Sequence, residues 1–280
     1  MRVAALRRYP VKSMLGEDLS SARVEHRGLA GDRIYAVIDD ETQKVVSVKR
    51  PKRWGTIFQL SARTDDDAVR VRFPNDEEFL ITDPELAARL SSYFNRAVSI
   101  ATVPPPDATF DEAWVRNLKD GAGTYFDRPT RIEDGDELVN AGMLMSKQQS
   151  FFNLRPLHIV TTSATDALTA AAPGSRFDPH RFRPNIVIDG GEPGFADVDW
   201  PGHTLTIGRV RLQVLMTVPR CVMTTLEQGD LPADDDVLRT ITRLNAVDTL
   251  GTGVPYPCLG VYADVIEPGE IAVGNQVTLG

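Results

Sequence analysis

Four short segments of this 280-residue chain carry side chains able to do chemistry or to grip a charged ligand. The first is Pro219-Arg220-Cys221-Val222-Met223-Thr224-Thr225. A cysteine beside an arginine has a positive neighbour, which favours the thiolate, the form that attacks electrophiles and ligates metal. Thiolate is also the soft ligand that suits redox-active metals. The alternative is a buried cysteine serving as a small hydrophobe, with Arg220 in an ordinary ion pair. The second segment is Arg181-Phe182-Arg183-Pro184-Asn185, where two guanidinium forks flank Phe182 and suit phosphate or carboxylate oxygens. As plain surface arginines they would only solvate the start of a strand. The third is Tyr9-Pro10-Val11-Lys12-Ser13 together with Gly28-Leu29-Ala30-Gly31-Asp32-Arg33. A Lys and a Ser in a turn, with an Arg at a strand start, can bind an anion, and the glycines let backbone come close. Turn residues and strand-end charges are the alternative. In the fourth, Thr161-Thr162-Ser163, hydroxyls and free N–H groups at a helix start form a phosphate cradle, although plain N-capping needs only one of them.

The elements that must position these segments are mostly strands. Arg33–Ile38 and Lys44–Val48 read as a hairpin, and Val69–Phe73 alternates at period two. Asp83-Pro84 caps a helix with Leu86, Leu90 and Tyr93 on one stripe. Residues 105–156 open with three prolines and read as an irregular connection, including Asp120-Gly121-Ala122-Gly123 and Met143-Leu144-Met145. Leu157–Thr161 is a buried-type strand leading into a short helix, and Asn185–Ile188 is a strand. Thr204–Ile207 and Val210–Val214 form a hairpin around Gly208-Arg209, Asp236–Leu244 reads as a helix, and Gly260–Leu279 gives short strands. Many short strands with few helices predict a mainly β, α+β fold built on a β-barrel core.

Composition removes several classes of function. Hydrophobic residues make up 42% and charged residues 25%, as in an ordinary globular protein. Net charge is −8, a poor match for broad nucleic-acid binding. The two cysteines, Cys221 and Cys258, cannot build a disulfide framework and fit a reducing cytoplasm. The four histidines are scattered, without zinc-ligand spacing. There is no P-loop, no G-x-G-x-x-G after a strand and no G-x-S-x-G. No stretch is long and apolar enough to span a membrane, and Met1–Arg8 lacks the apolar run of a secretory signal.

The order of the segments forms a chain-long pattern: Lys-Ser, then Gly-Asp-Arg, hydroxyls before a helix, Arg-Pro-Asn, Pro-Arg-Cys-x-x-Thr-Thr and a late Leu-Gly-Val-Tyr. It resembles the MOSC superfamily, the molybdenum cofactor sulfurase C-terminal domain. The arrangement is similar to that in which a MOSC N-terminal β-barrel domain precedes the MOSC domain, as in the mitochondrial amidoxime-reducing component and its bacterial relatives. The resemblance implies a MOSC N-terminal β-barrel-like domain over 1–104, a partly irregular connecting segment over 105–156 and a MOSC domain over 157–280, with a few peripheral helices. It implies a molybdopterin cofactor lying between the two domains, with Cys221 as the protein ligand to molybdenum. Lys12, Ser13, Arg33, Thr161, Thr162, Arg183, Asn185 and Arg220 match the family positions that hold the phosphate and the pterin ring. Tyr262 matches an aromatic position close to the site, and with Cys221 it forms the implied catalytic pair.

The implied activity is that of an N-reductive, molybdenum-dependent oxidoreductase, removing the oxygen of small N-hydroxylated or N-oxygenated compounds with two electrons, two protons and loss of water. The chain has no C-x4-C-x2-C cluster, so no fused iron–sulfur cluster is expected. Electrons would come from a separate protein such as a ferredoxin or a flavoprotein reductase. Two departures touch specificity: Leu226-Glu227-Gln228 stands where the amidoxime reducers have Val-Asp-Pro, and the stretches from Val103 and through Met143-Leu144-Met145 are distinct and could shape the substrate mouth. Two other functions fit the same motifs: a sulfur carrier with a persulfide on Cys221, and a non-enzymatic protein that binds and delivers the molybdenum cofactor. Cys258 reads as a buried thiol.

Overall fold

A computed structural model describes residues 1–66, 68–113, 130–142, 150–251 and 253–280. The stretches Asp120–Gly123 and Met143–Met145 lie outside the described residues. The chain packs into two compact units, one of residues 1–8, 18–32 and 155–280, the other of residues 9–17 and 33–154. By packing, the division is therefore not a linear one at 104 and 156, because the first strand and residues 18–32 belong with the C-terminal half.

The first unit is built on one curved sheet. Its principal strands are β1 (Arg2–Arg8), β2 (Leu157–Thr161), β3 (Ile186–Asp189), β4 (Thr204–Ile207), β5 (Val210–Pro219), β6 (Tyr256–Glu267) and β7 (Val277–Leu279), with the short strands Glu17–Leu19 beside β1 and Ala246–Val247 beside β6. They lie in the order β1-β3-β2-β6-β5-β4-β7. Neighbours are antiparallel except β2 and β3, which run parallel. Parallel neighbours need a crossover, and the helix α1 (Thr162–Ala171) supplies it. The two ends of the sheet meet: the Val3 N–H donates to the Asn275 carbonyl at 2.9 Å, and the Gly274 N–H donates to the Val3 carbonyl at 2.8 Å. The sheet is thereby closed into a barrel, which removes its open edges.

Period-two alternation fills this barrel. Val3, Leu157, Ile159, Ile186, Ile188, Leu205, Ile207, Leu212, Val214, Val261 and Ala263 pack in one apolar cluster. A second cluster joins Val160, Ala164, Leu168, Phe182, Val237, Ile241 and Leu259, seating α1 and α3 (Asp236–Leu244). A short helix, α2 (Pro179–Phe182), precedes β3 and is capped by the Asp178 carboxylate, which accepts from the His180 N–H at 2.9 Å. Gly260 sits inside β6 at φ +75°, where an added Cβ would lie 2.2 Å from the Ile159 carbonyl oxygen. Without a Cβ there, β6 runs through twelve residues, Tyr256–Glu267, and Gly269–Ala272 and Val277–Leu279 follow as the short strands expected of this end of the chain.

The second unit holds small sheets and one long helix. Ala36–Asp39 pairs with Lys44–Val45 as the expected hairpin. Arg33 itself is in a turn at φ +50°, so the strand starts later than the sequence suggests. Ser61–Asp65, Ala68–Arg72 and Glu78–Leu80 form a meander, with Val69 and Val71 buried on one face. The helix Pro84–Phe94 is capped by Asp83, which accepts the Glu85 N–H at 2.8 Å, and it buries Leu86 and Leu90.

Within residues 105–156, expected to be an irregular connection, the described residues include three strands. Phe110–Ala113, Thr130–Glu133 and Asp136–Ala141 form a three-stranded sheet. Its charged residues pair with residues 44–53: Asp111 with Lys44 at 2.6 Å, Glu112 with Lys49 at 2.9 Å, and Asp134 with Arg50 and Arg53 at 2.8 Å each. Sequence periodicity is blind to this kind of stabilisation. Among the described residues, no helix is long and apolar enough to cross a membrane.

Candidate functional site

In the barrel unit, β5 ends at Pro219, and the next two residues are the ones singled out from sequence. Arg220 is buried, and backbone takes up most of its guanidinium. Its Nε–H donates to the Leu259 carbonyl at 3.0 Å and Nη1 donates to the Phe182 carbonyl at 3.1 Å. Nη2 donates to the Leu259 carbonyl and to His158 Nε2. Four of the five N–H groups of the guanidinium are thus committed. Burial pushes its pKa down to about 10, while Tyr262, Cys258, Cys221 and Asp197 favour its charged form.

Cys221 is half-exposed, and Cys258 is fully buried. Burial pushes the Cys258 thiol up, which agrees with the reading of it as a packed sulfur. The Cys221 carbonyl accepts the Thr224 N–H and the Thr224 hydroxyl, each at 3.1 Å, closing a single turn over Val222–Thr225. A second buried arginine holds that turn from below: Arg181 donates to the carbonyls of Thr224, Leu226 and Pro232 at 3.2, 3.1 and 2.9 Å. Arg181, one of the two forks suggested as anion ligands, is therefore engaged with backbone.

The Arg-Pro-Asn segment is fixed with equal care. Arg183 takes a left-handed conformation at φ +58°, ending α2. Asn185 is buried; its side-chain carbonyl accepts the His158 N–H at 3.2 Å, and its amide donates to the Arg7 carbonyl at 3.3 Å. Thr161 closes β2 and caps α1, its hydroxyl accepting the Ala164 N–H at 3.3 Å. The Thr162 hydroxyl donates to Asp189 at 2.9 Å, and that bond, with Arg2, holds the Asp189 carboxyl below its ordinary range. Tyr262 is half-buried on β6 directly across from His158 on β2, the two rings 5.7 Å apart.

Sequence reasoning passed over two groups here. His158 looked like one of several scattered histidines, yet it touches both Arg220 and the Arg183 carbonyl. Asp197 has both carboxylate oxygens buried without a hydrogen-bond partner, and burial pushes its pKa up to about 6 against the pull of Arg220. A His inside an apolar strand is a detectable signal. An Asp in an acidic loop is not.

In the second unit, Lys12 is buried. Its ammonium donates to the Phe151 carbonyl at 2.7 Å and to the Asn153 side chain, and it lies 5.0 Å from the Phe110 ring centre. Ser13 is in the left-handed region at φ +67°, and its hydroxyl oxygen accepts the Val48 N–H at 3.3 Å. The Arg33 guanidinium stacks on the Tyr9 ring at 4.9 Å, and the Arg33 carbonyl accepts the Phe151 N–H at 3.1 Å. Phe151 thus bridges Lys12 and Arg33, which sit apart in sequence. Within each unit the candidate residues are gathered: Lys12, Ser13 and Arg33 in one; Thr161, Thr162, Arg183, Asn185, Arg220, Cys221 and Tyr262 in the other.

Among the described residues no three His, Cys, Asp or Glu side chains come together as a metal site. A half-buried thiol beside the buried Arg220 and, in the same unit, a helix start with hydroxyls fit a phosphorylated metal cofactor. An open groove of about 650 Å³ beside α3 is lined by Gly174, Asp234, Asp236, Arg239 and Arg243, none of them a candidate.

Comparison with known proteins agrees with this reading of the motifs. Mitochondrial amidoxime reducing component 2 of Bos taurus is 23% identical over 280 residues, covering 96% of this chain and 80% of the relative. Mitochondrial amidoxime reducing component 2 of Homo sapiens is 25% identical over 288 residues, covering 98% of this chain and 82% of the relative. The YUAD protein of Bacillus subtilis superposes with a TM-score of 0.45 at 11% identity, over 99% of this chain and 94% of that one. The family model described as MOSC N-terminal beta barrel domain matches residues 1–100, and the model described as MOSC domain matches residues 146–278. The chain belongs to the MOSC superfamily.

Proposed function

We propose that this chain is a molybdenum-cofactor-dependent oxidoreductase that removes oxygen, with two electrons, from small N-hydroxylated or N-oxygenated compounds. The observation that carries the reading is the contrast between its two sulfurs: Cys221 is half-exposed at the end of β5 beside a buried cation, whereas Cys258 is fully enclosed. The names of the amidoxime-reducing relatives support the class of reaction.

When bound, the cofactor supplies two-electron oxygen-atom transfer. The chain supplies the grip and the orientation. Cys221, as thiolate, is the sulfur ligand. The Thr161 hydroxyl and the N–H groups at the start of α1, that of Thr162 included, receive phosphate oxygens, the usual use of a helix N-terminus, while the Thr162 hydroxyl stays with Asp189. Arg183 and Asn185 hold the ring edge. In the second unit, Lys12, Ser13 and Arg33 supply positive charge and a hydroxyl able to receive an anion. Arg220 contributes its charge and one N–H, since the other four are committed. Tyr262 borders the substrate, its O–H donating to the oxygen that leaves nitrogen. The electrons arrive from a separate donor protein, and the two free cysteines suit a reducing, cytoplasmic setting.

Metal and pterin analysis of the full chain, purified from a host that makes molybdopterin, tests the reading. The expected result is about one molybdenum per chain, lost in Cys221→Ala at unchanged thermal midpoint. Full loading of that variant would overturn the ligand assignment. One added sulfur on Cys221 with no pterin would move the reading to sulfur carriage.

A further inference from the structure

His158 is buried in β2, a strand whose odd-numbered neighbours Leu157 and Ile159 fill the barrel. Its own side chain therefore lies on the other face, with Tyr262 as its cross-strand neighbour. Every polar group of this residue has a use. The backbone N–H donates to the Asn185 side chain at 3.2 Å, and the backbone carbonyl accepts the Asn185 N–H at 2.7 Å. Ring Nδ1 lies 3.2 Å from the Arg183 carbonyl, and ring Nε2 meets Arg220 Nη2. A carbonyl only accepts and a guanidinium only donates. The two contacts together therefore dictate the proton: Nδ1 carries it, and Nε2 offers a lone pair. An imidazolium, or the opposite tautomer, would set N–H against N–H at Arg220.

We propose that His158 is a positioning residue, held as the neutral Nδ1–H tautomer, that locks the Arg220 guanidinium and with it the backbone carrying Cys221 to the Arg183–Asn185 segment. Arg220 ties three stretches of backbone: its own at the end of β5, Phe182 at the end of α2, and Leu259 in β6. Among the described residues His158 is the one side chain that accepts from Arg220, the other acceptors being carbonyls. It fixes which way the fork faces. The residue touches neither the proposed metal nor the substrate; it acts through Arg220. The inference rests on the reading of Cys221 as the sulfur ligand only for its functional meaning, because the lock itself is a property of the chain.

The test uses the full chain, first without cofactor. The ¹⁵N spectrum of His158 is expected to show a protonated Nδ1 and an unprotonated Nε2, and the reverse assignment or an imidazolium would overturn the proposal. His158→Gln retains an acceptor where Nε2 stood. His158→Asn keeps only a donor near Nδ1, and His158→Leu keeps neither. Solvent exchange of the Arg220 Nε–H should match wild type in the Gln variant and quicken about tenfold in the Asn and Leu variants, the scale of one charge-assisted hydrogen bond. Equal exchange in all four proteins would refute the lock. In molybdopterin-replete cells the Gln variant should hold molybdenum like wild type, and the Asn and Leu variants should hold about tenfold less at matched concentration. Normal loading of Asn and Leu variants would sink the positioning role while leaving Cys221 as ligand. Wild type without molybdenum would sink the functional reading alone, because tautomer and exchange still decide the lock.

Discussion

The two units bury cations in opposite ways. In the barrel unit, Arg181 and Arg220 are held by backbone carbonyls, and among the described residues neither has a carboxylate at ion-pair distance. In the second unit, Arg50 is as deeply buried, at 1% exposure, but it faces Asp111, Glu133 and Asp134 at 3.5, 3.1 and 2.8 Å. A carbonyl satisfies a donor without cancelling its charge, whereas a carboxylate does both. The first arrangement leaves a field beside Cys221 that favours anions; the second sets carboxylates against most of its positive charge and serves as a staple. Equal burial thus says nothing about function until the partner is named.

The contrast is broken most sharply by removing the carbonyl-held arginines. Arg181→Met and Arg220→Met should each cost about 3 kcal/mol or more, because several buried carbonyls lose their donors at about 1–3 kcal/mol apiece. Urea unfolding measures this, and the loss should be insensitive to salt. The next effect belongs to Asp197. Burial lifts its pKa from the ordinary aspartate value of 3.8 to about 6, so between those values the folded state binds more protons than the unfolded one and stability falls as pH rises. Asp197→Asn should abolish that slope and leave the variant more stable than wild type above pH ~6.5, by on the order of 2 kcal/mol. Denaturation midpoints from pH ~4 to ~7 would show parallel curves if the group were ordinary.

Arg50→Met should cost less, about 1–2 kcal/mol, since Asp111 keeps Lys44 and Arg131 while Glu133 and Asp134 keep Arg53. Here about 1 M salt should shrink the difference from wild type. An equal salt response in Arg50→Met and Arg220→Met would erase the distinction between the units. The smallest pair sharpens it: Thr161→Ala and Asp83→Ala each remove one helix cap and should each cost about 1 kcal/mol. Only Thr161→Ala should also lower molybdenum retention, read by metal analysis at matched protein concentration.

Much of the barrel was legible because its physics is local. Strand periodicity found β2 and β4, and Asp83-Pro84 and Thr161 announced their helices through caps. The Pro-Arg-Cys motif was correctly placed at the end of a strand. What escaped was non-local. The sheet over residues 110–141 owes its stability to charges some sixty residues upstream, so its own sequence reads as punctuation. The close approach of the Ile159 carbonyl to Gly260 is likewise visible only in the fold. The same holds for the site: Cys221 and Arg183 were visible as motif members, but that Arg181 serves backbone, and that His158 serves Arg220, required the acceptors to be in view.

The closure of the barrel has a consequence for how the protein is made. Val3 bonds to residues 274 and 275, the far end of the chain, and its strand lies against residues 186–189. During synthesis β1 cannot complete its pairing until residues 274 and 275 have emerged. Residues 33–154 meanwhile emerge uninterrupted and find most of their partners among themselves. The second unit can therefore fold before the barrel shuts, and a chain stalled short of residue 274 would carry Cys221 on a sheet with an unsealed seam.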